Sequence, residues 1–87
     1  MKLEDLPNLG PVLADNLRRV GVDTPEKLRE TGAEQAFLRI RAQVDGAACF
    51  HQLTALAGAE AGIRKTELSP ARKAELRSFF DRLKTPK

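Results

Sequence analysis

The sequence predicts an all-α fold, a compact single domain of roughly five or six short helices. Three observations carry this. No segment alternates apolar and polar residues for long enough to make a strand. Apolar residues recur instead at helical spacing, most clearly at Leu76, Phe79, Phe80 and Leu83. Helix-start pairs such as Thr24-Pro25 and Ser69-Pro70 alternate with glycines placed to end helices, at Gly21, Gly32 and Gly62.

Residues 2–6 suffice for one short helix, with Leu3 and Leu6 on one side. The run Leu6-Pro7-Asn8-Leu9-Gly10-Pro11-Val12 is then a tight connection. Pro7 and Pro11 bracket it, and Gly10 is expected to supply backbone angles closed to other residues. Pro11 suits the first turn of a helix, where its missing N–H is lost at little cost. That helix runs about ten residues to Gly21, a usual C′ glycine. Leu13, Leu17 and Val20 form its buried stripe, and Ala14 lets the first helix come close.

The pattern Leu-Pro-x-Leu-Gly-Pro-x-x-Ala-x-x-Leu resembles the helix-hairpin-helix motif. That resemblance implies a hairpin whose backbone N–H groups meet a DNA phosphate, consistent with the partial positive charge of a helix N-terminus. Leu9, Gly10 and Val12 are the expected phosphate-contacting residues, with Arg18 and Arg19 adding charge. A short αα-hairpin that packs and binds nothing has the same local pattern. The sequence departs from DNA-binding examples around the hairpin: Asn8 stands where a second glycine is usual, Val12 where a cation is common, with Asp15 following within a turn, and Pro11 removes one N–H.

Further along, Asp23 or Thr24 caps a helix opened by Pro25, anchored by Leu28 and ended by Gly32. Thr31-Gly32-Ala33-Glu34 reads as a capping box for the next helix, whose stripe is Ala33, Phe37, Ile40 and Val44. Asp45-Gly46 marks a turn. From Ala47 to Ala61 the chain is alanine-rich, with Phe50, Leu53, Leu56 and Ala57 in a stripe, and reads as the central buried helix. Gly58 inside it costs about 1 kcal/mol relative to alanine, which close contact with another helix would offset. Residues 63–68 are a connection. Ser69-Pro70 then starts a last helix that ends near Leu83. The domain is taken as residues 1–84 and the tail as 85–87.

A composition that is 41% apolar and 31% charged belongs to a globular chain rather than a disordered one. The single cysteine, Cys49, excludes an intrachain disulfide. His51 is the one histidine, and on a helix it diverges from Cys49 by about 200°, so the two cannot share a metal or act as nucleophile and base. A partly buried Cys49 and a surface or rim His51 are expected. Glu60 draws notice as the acid on an otherwise apolar helix. No glycine-rich phosphate loop follows Gly10. The expectation is a non-enzymatic protein without metal, cofactor or small-molecule substrate. No run approaches the roughly 18 apolar residues of a membrane span, and a cytoplasmic location is expected.

The net charge of +3 is unevenly placed. Residues 1–44 carry seven cations and seven anions. The excess lies between Arg64 and Lys87, where Lys73, Arg77 and Lys84 fall on neighbouring directions of the last helix and form an alternative basic surface.

Taken together, a longer set of residues falls in a familiar order. Leu6-Pro7-Asn8-Leu9-Gly10, Gly21-Val22-Asp23-Thr24, Leu28, Gly32-Ala33 and Ala36-Phe37-Leu38-Arg39-Ile40 begin it. Cys49, Leu53-Thr54-Ala55-Leu56-Ala57-Gly58-Ala59 and Gly62-Ile63 continue it. This set resembles the C-terminal domain of the TfoX/Sxy family, named for regulators of bacterial competence. The resemblance implies a bacterial helix-hairpin-helix-type domain in a stand-alone version, without the N-terminal TfoX domain of longer relatives. Two functions stay open. One is sequence-independent binding of the DNA backbone with a regulatory role. The other is a protein-interaction or dimerisation module, such as a homodimer, that binds no DNA.

Overall fold

Proline at the start and glycine past the end punctuate this chain, and the helices fall between those marks. The computed structural model describes residues 2–84, Lys84 by its backbone alone. A 3-10 turn, Leu3–Asp5, precedes α1 (Pro11–Arg19), α2 (Pro25–Thr31), α3 (Ala33–Gln43) and α4 (Phe50–Ala61). A second 3-10 turn, Lys65–Glu67, leads into α5 (Pro70–Lys84). Among the described residues there is no strand.

The ends of α1 and α4 are closed alike. Gly21 and Gly62 take positive φ, 83° and 76°. The N–H groups of Gly21 and Val22 donate to Arg18 and Leu17, and those of Gly62 and Ile63 to Ala59 and Gly58. Each pair of bonds satisfies carbonyls that the last helical turn leaves open. At the starts, Thr24 Oγ1 accepts from Lys27 N and Ser69 Oγ from Arg72 N, both at 3.1 Å.

Three local expectations need correction. Thr31 does not cap α3. It is the last residue of α2, so its backbone is helical, and Gly32 with φ 84° ends one helix and starts the next. Helix α4 begins at Phe50 rather than Ala47, because Asp45 Oδ1 accepts from Ala47 N and holds that stretch as a turn. Gly10 has φ −84° and ψ 178°, extended backbone open to any residue. The left-handed residue in this connection is Asn8, φ 71°.

Helix α4 is the centre of the molecule, with every residue from Leu53 to Ala59 buried. Helices α2, α3, α5 and the second 3-10 turn pack around it, while α1 rests on α3 and the first 3-10 turn. Leu3, Leu17, Leu28, Phe37, Ile40, Leu53, Leu56 and Leu76 are completely buried, each stabilising the fold by about 1.5–3 kcal/mol. Phe80 holds α5 in place against Phe37 at 6.0 Å and, edge-on, against Phe50 at 5.6 Å between ring centres. The radius of gyration, 12.0 Å, is that of a chain this long folded round one core.

Candidate nucleic-acid interface

The connection from Leu6 to Gly10 is fixed from below. Leu6 and Leu9 are buried, and the side chain of Asn8 reaches into the body of the protein. Its Nδ2 donates to Ile63 O at 3.0 Å and, more weakly, to Ala55 O at 3.4 Å. Its Oδ1 accepts from Lys65 N at 3.0 Å. Asparagine is among the few residues that tolerate the left-handed region, and here the same side chain ties the connection to α4 and to the segment after it. The residue that departs from the glycine pattern therefore keeps the glycine's backbone geometry and adds an anchor.

Gly58 makes room for that anchor. A Cβ at residue 58 would lie 2.5 Å from Asn8 Nδ2, 2.8 Å from Ile63 O and 3.1 Å from Lys65 N. The contact expected for Gly58 was with another helix, but what meets it is the hairpin side chain and the backbone leaving α4.

Above this anchor the start of α1 is bare. Gly10 and Pro11 are exposed, and Val12 is 74% exposed, the only large apolar side chain so placed among the described residues. The first bond within reach of the helix is Ala14 N to Gly10 O, so the amides of Gly10, Val12 and Leu13 precede the ladder. No acidic residue lies in the first turn of α1. Leu9, expected at the surface of this site, is buried beneath it, and its N–H donates to Leu6 O at 3.5 Å.

Arg18 and Arg19 stand at the other end of α1, about 10 Å along the axis at 1.5 Å per residue. Both are engaged. Arg18 makes a two-pronged contact with Glu4, Nη1 to Oε2 at 2.8 Å and Nη2 to Oε1 at 2.6 Å. Those hydrogen bonds hold the Glu4 carboxyl down at about 2. Arg19 Nε donates to Asp15 Oδ2 at 3.0 Å.

On α5, Lys73 is exposed. Arg77 lies over the Phe50 ring, 4.0 Å from its centre, and 3.9 Å from Asp81. The side chain of Lys84, third member of that basic stripe, and the tail at 85–87 lie outside the described residues.

Glu60 has a structural task that its place on α4 suggested only as an oddity. Its Oε1 accepts from Ala33 N at 2.9 Å, filling the capping role that Thr31 leaves vacant. The same oxygen is 3.8 Å from Arg72, which also grips Glu34 through two bonds of 2.6 and 2.9 Å and touches Glu75 at 3.2 Å. Arg72 thus joins the starts of α3 and α5 to the end of α4. Cys49 is exposed rather than partly buried, as the residue preceding α4, and His51 is exposed too. Among the described residues no group of three or more His, Cys, Asp or Glu is placed to hold a metal ion, and no helix is long and apolar enough to cross a membrane.

The family model for the TfoX C-terminal domain matches residues 1–80. Protein Sxy of Escherichia coli (strain K12) is 38% identical over 86 residues, covering 99% of this chain and 40% of Sxy. The chain therefore spans less than half the length of that relative. A solved structure of an uncharacterised protein from Listeria monocytogenes, in a triclinic form, superposes with a TM-score of 0.94 at 42% identity, over 97% of this chain and 94% of that one. A protein of unknown function from the same organism, in a tetragonal form, gives 0.89 at 43% identity, over 93% of this chain and 98% of that one.

Proposed function

Since this chain belongs to the TfoX C-terminal domain family, we propose that it is a non-enzymatic regulatory module that grips the backbone of duplex DNA without regard to sequence. The observation that supports this reading is the start of α1, exposed, free of acids and set on a connection that Asn8 pins to the core. The amides of Gly10 and Val12 would take one phosphate there, where the helix end is partly positive, with Leu9 supporting them from below. Arg18 and Arg19 add positive charge along the same helix, shared with Glu4 and Asp15. Lys73 and Arg77 on α5 would supply the alternative surface. Contacts to phosphate position a protein on DNA and carry no sequence information, which suits a site made of backbone.

The test is anisotropy of a labelled short duplex across a salt series. Affinity should fall linearly on logarithmic axes as salt rises and be the same for unrelated sequences. Gly10→Asp is the informative variant. A Cβ at residue 10 meets nothing within 4 Å and φ is ordinary, and aspartate is itself a good residue before a helix. The variant should fold as well as the parent and lose binding, because its carboxylate sits where the phosphate must. Binding unchanged by Gly10→Asp would remove the hairpin as the interface.

A second reading is favoured by one observation, the exposure of Val12 beside Pro11. An apolar tip of this kind suits a protein partner, a second copy of the chain included. It predicts a solution mass that rises with concentration and returns to the monomer value in Val12→Ser.

A further inference from the structure

The sequence marks residues 63–68 only as a connection, yet the structure brings that connection to the hairpin. Ile63 O and Lys65 N are both bonded to the side chain of Asn8, at 3.0 Å each. Arg64 and Lys65 therefore follow directly from the contact that fixes the turn. Arg64 is exposed and Lys65 half-buried. Their backbone is held a second time, since Arg64 N donates to Glu67 Oε1 at 3.1 Å and Lys65–Glu67 is a 3-10 turn. Arg18, Arg19, Arg72 and Arg77 all have carboxylate partners. No ion pair involving Arg64 or Lys65 occurs among the described residues.

From Asn8 to Gly10 the chain spans at most about 7 Å. A lysine or arginine anchored at Asn8 can therefore serve a phosphate adjacent to one held at Gly10. We propose that Arg64 and Lys65 are the cationic contacts of this site, gripping a DNA backbone phosphate next to the one at Gly10 and Val12, with Asn8 as the residue that positions them. This rests on the reading of the hairpin as the DNA-binding surface. A cation that must first leave a carboxylate contributes less than one held free, which sets this pair apart from the arginines of α1.

The experiment uses the full chain and a labelled random-sequence duplex across a salt series, with thermal melts to confirm folding. Arg64→Ala/Lys65→Ala should lower the slope of log affinity against log salt by about one, roughly 0.9 for the phosphate charge that is no longer neutralised. Asn8→Gly keeps the positive φ available but removes the tether. Its slope should fall toward that of the double variant, and adding Arg64→Ala/Lys65→Ala to it should change little more. Lost stability alone would not move the slope of the folded protein. If the double variant keeps the parent slope while Gly10→Asp abolishes binding, this inference fails and the hairpin reading stands. If the parent does not bind, or Gly10→Asp binds as the parent does, the hairpin reading fails and this inference with it.

Discussion

The side-chain amide of Asn8 occupies the space that a side chain on residue 58 would need, with its Nδ2 2.5 Å from the position of a Cβ there. Gly58→Ala improves helix propensity by about 1 kcal/mol but forces both Asn8 and the Ile63 carbonyl to move. Overpacking of this sort costs about 1–3 kcal/mol, so the variant should be no more stable than the parent and is expected to be less so. Urea midpoints decide it. A clear gain in stability would show that the hairpin yields freely and that Asn8 is no anchor.

Asn8 itself separates two effects. Asn8→Gly keeps easy access to φ 71° and loses the three side-chain hydrogen bonds. Asn8→Ala loses the bonds and also strains a residue with a Cβ in the left-handed region, at a further cost of about 1–2 kcal/mol. The alanine variant should therefore melt below the glycine variant. Equal melting temperatures would mean that the backbone relaxes out of that region.

Glu60 gives a matched pair of substitutions. Glu60→Gln retains an oxygen to accept from Ala33 N, whereas Glu60→Ala leaves that N–H unpartnered at a half-buried helix start. Removal of a cap costs about 0.5–2 kcal/mol, so alanine should destabilise by roughly that much more than glutamine. Denaturation of both variants at neutral pH tests the difference, and identical midpoints would mean that α3 needs no cap.

Leu56 is completely buried on the central helix. Leu56→Asp would place a charge among apolar side chains with no partner and should leave little folded protein at room temperature. Far-UV circular dichroism reads the outcome directly. A cooperative melt near that of the parent would mean that α4 is not the centre of the core.

The helices were legible because their ends are chemical. Proline, glycine and the capping Thr24 and Ser69 act on their own neighbours, and the stripes at Leu17, Phe37 and Leu76 need only helical spacing. The misread positions share a different cause, dependence on a distant residue. Thr31 could not be known to lie inside α2 until Glu60, far along the chain, was seen to cap α3. Gly10 drew the expectation of unusual angles that Asn8 in fact holds, because the bonds that stabilise Asn8 come from Ile63 and Lys65. The proximity of Arg64 and Lys65 to the hairpin is of the same kind. The pairing of Arg18 with Glu4 crosses the connection, and spacing along one helix says nothing of it.

Glu4 and Glu34 determine how the fold should meet acid. Hydrogen bonds from Arg18 lower Glu4 from the ordinary 4.5 to about 2, and hydrogen bonds from Arg72 lower Glu34 from the same value, against partial burial. Both carboxyls are thus harder to protonate folded than unfolded. Their stabilising contribution is fully present above the unfolded value of 4.5 and is lost as pH falls through the folded one. The arginines remain charged throughout and add no slope. Stability should therefore be flat near neutrality with respect to these groups and decline from 4.5 toward about 2. Salt should weaken the exposed Glu4 pair more than the partly buried Glu34 pair. Urea midpoints measured between pH of about 7 and 2.5 should fall less steeply in Glu34→Gln and in Glu4→Gln than in the parent. A Glu4→Gln/Glu34→Gln protein that declines as steeply as the parent would place the acid-sensitive contacts elsewhere in the fold.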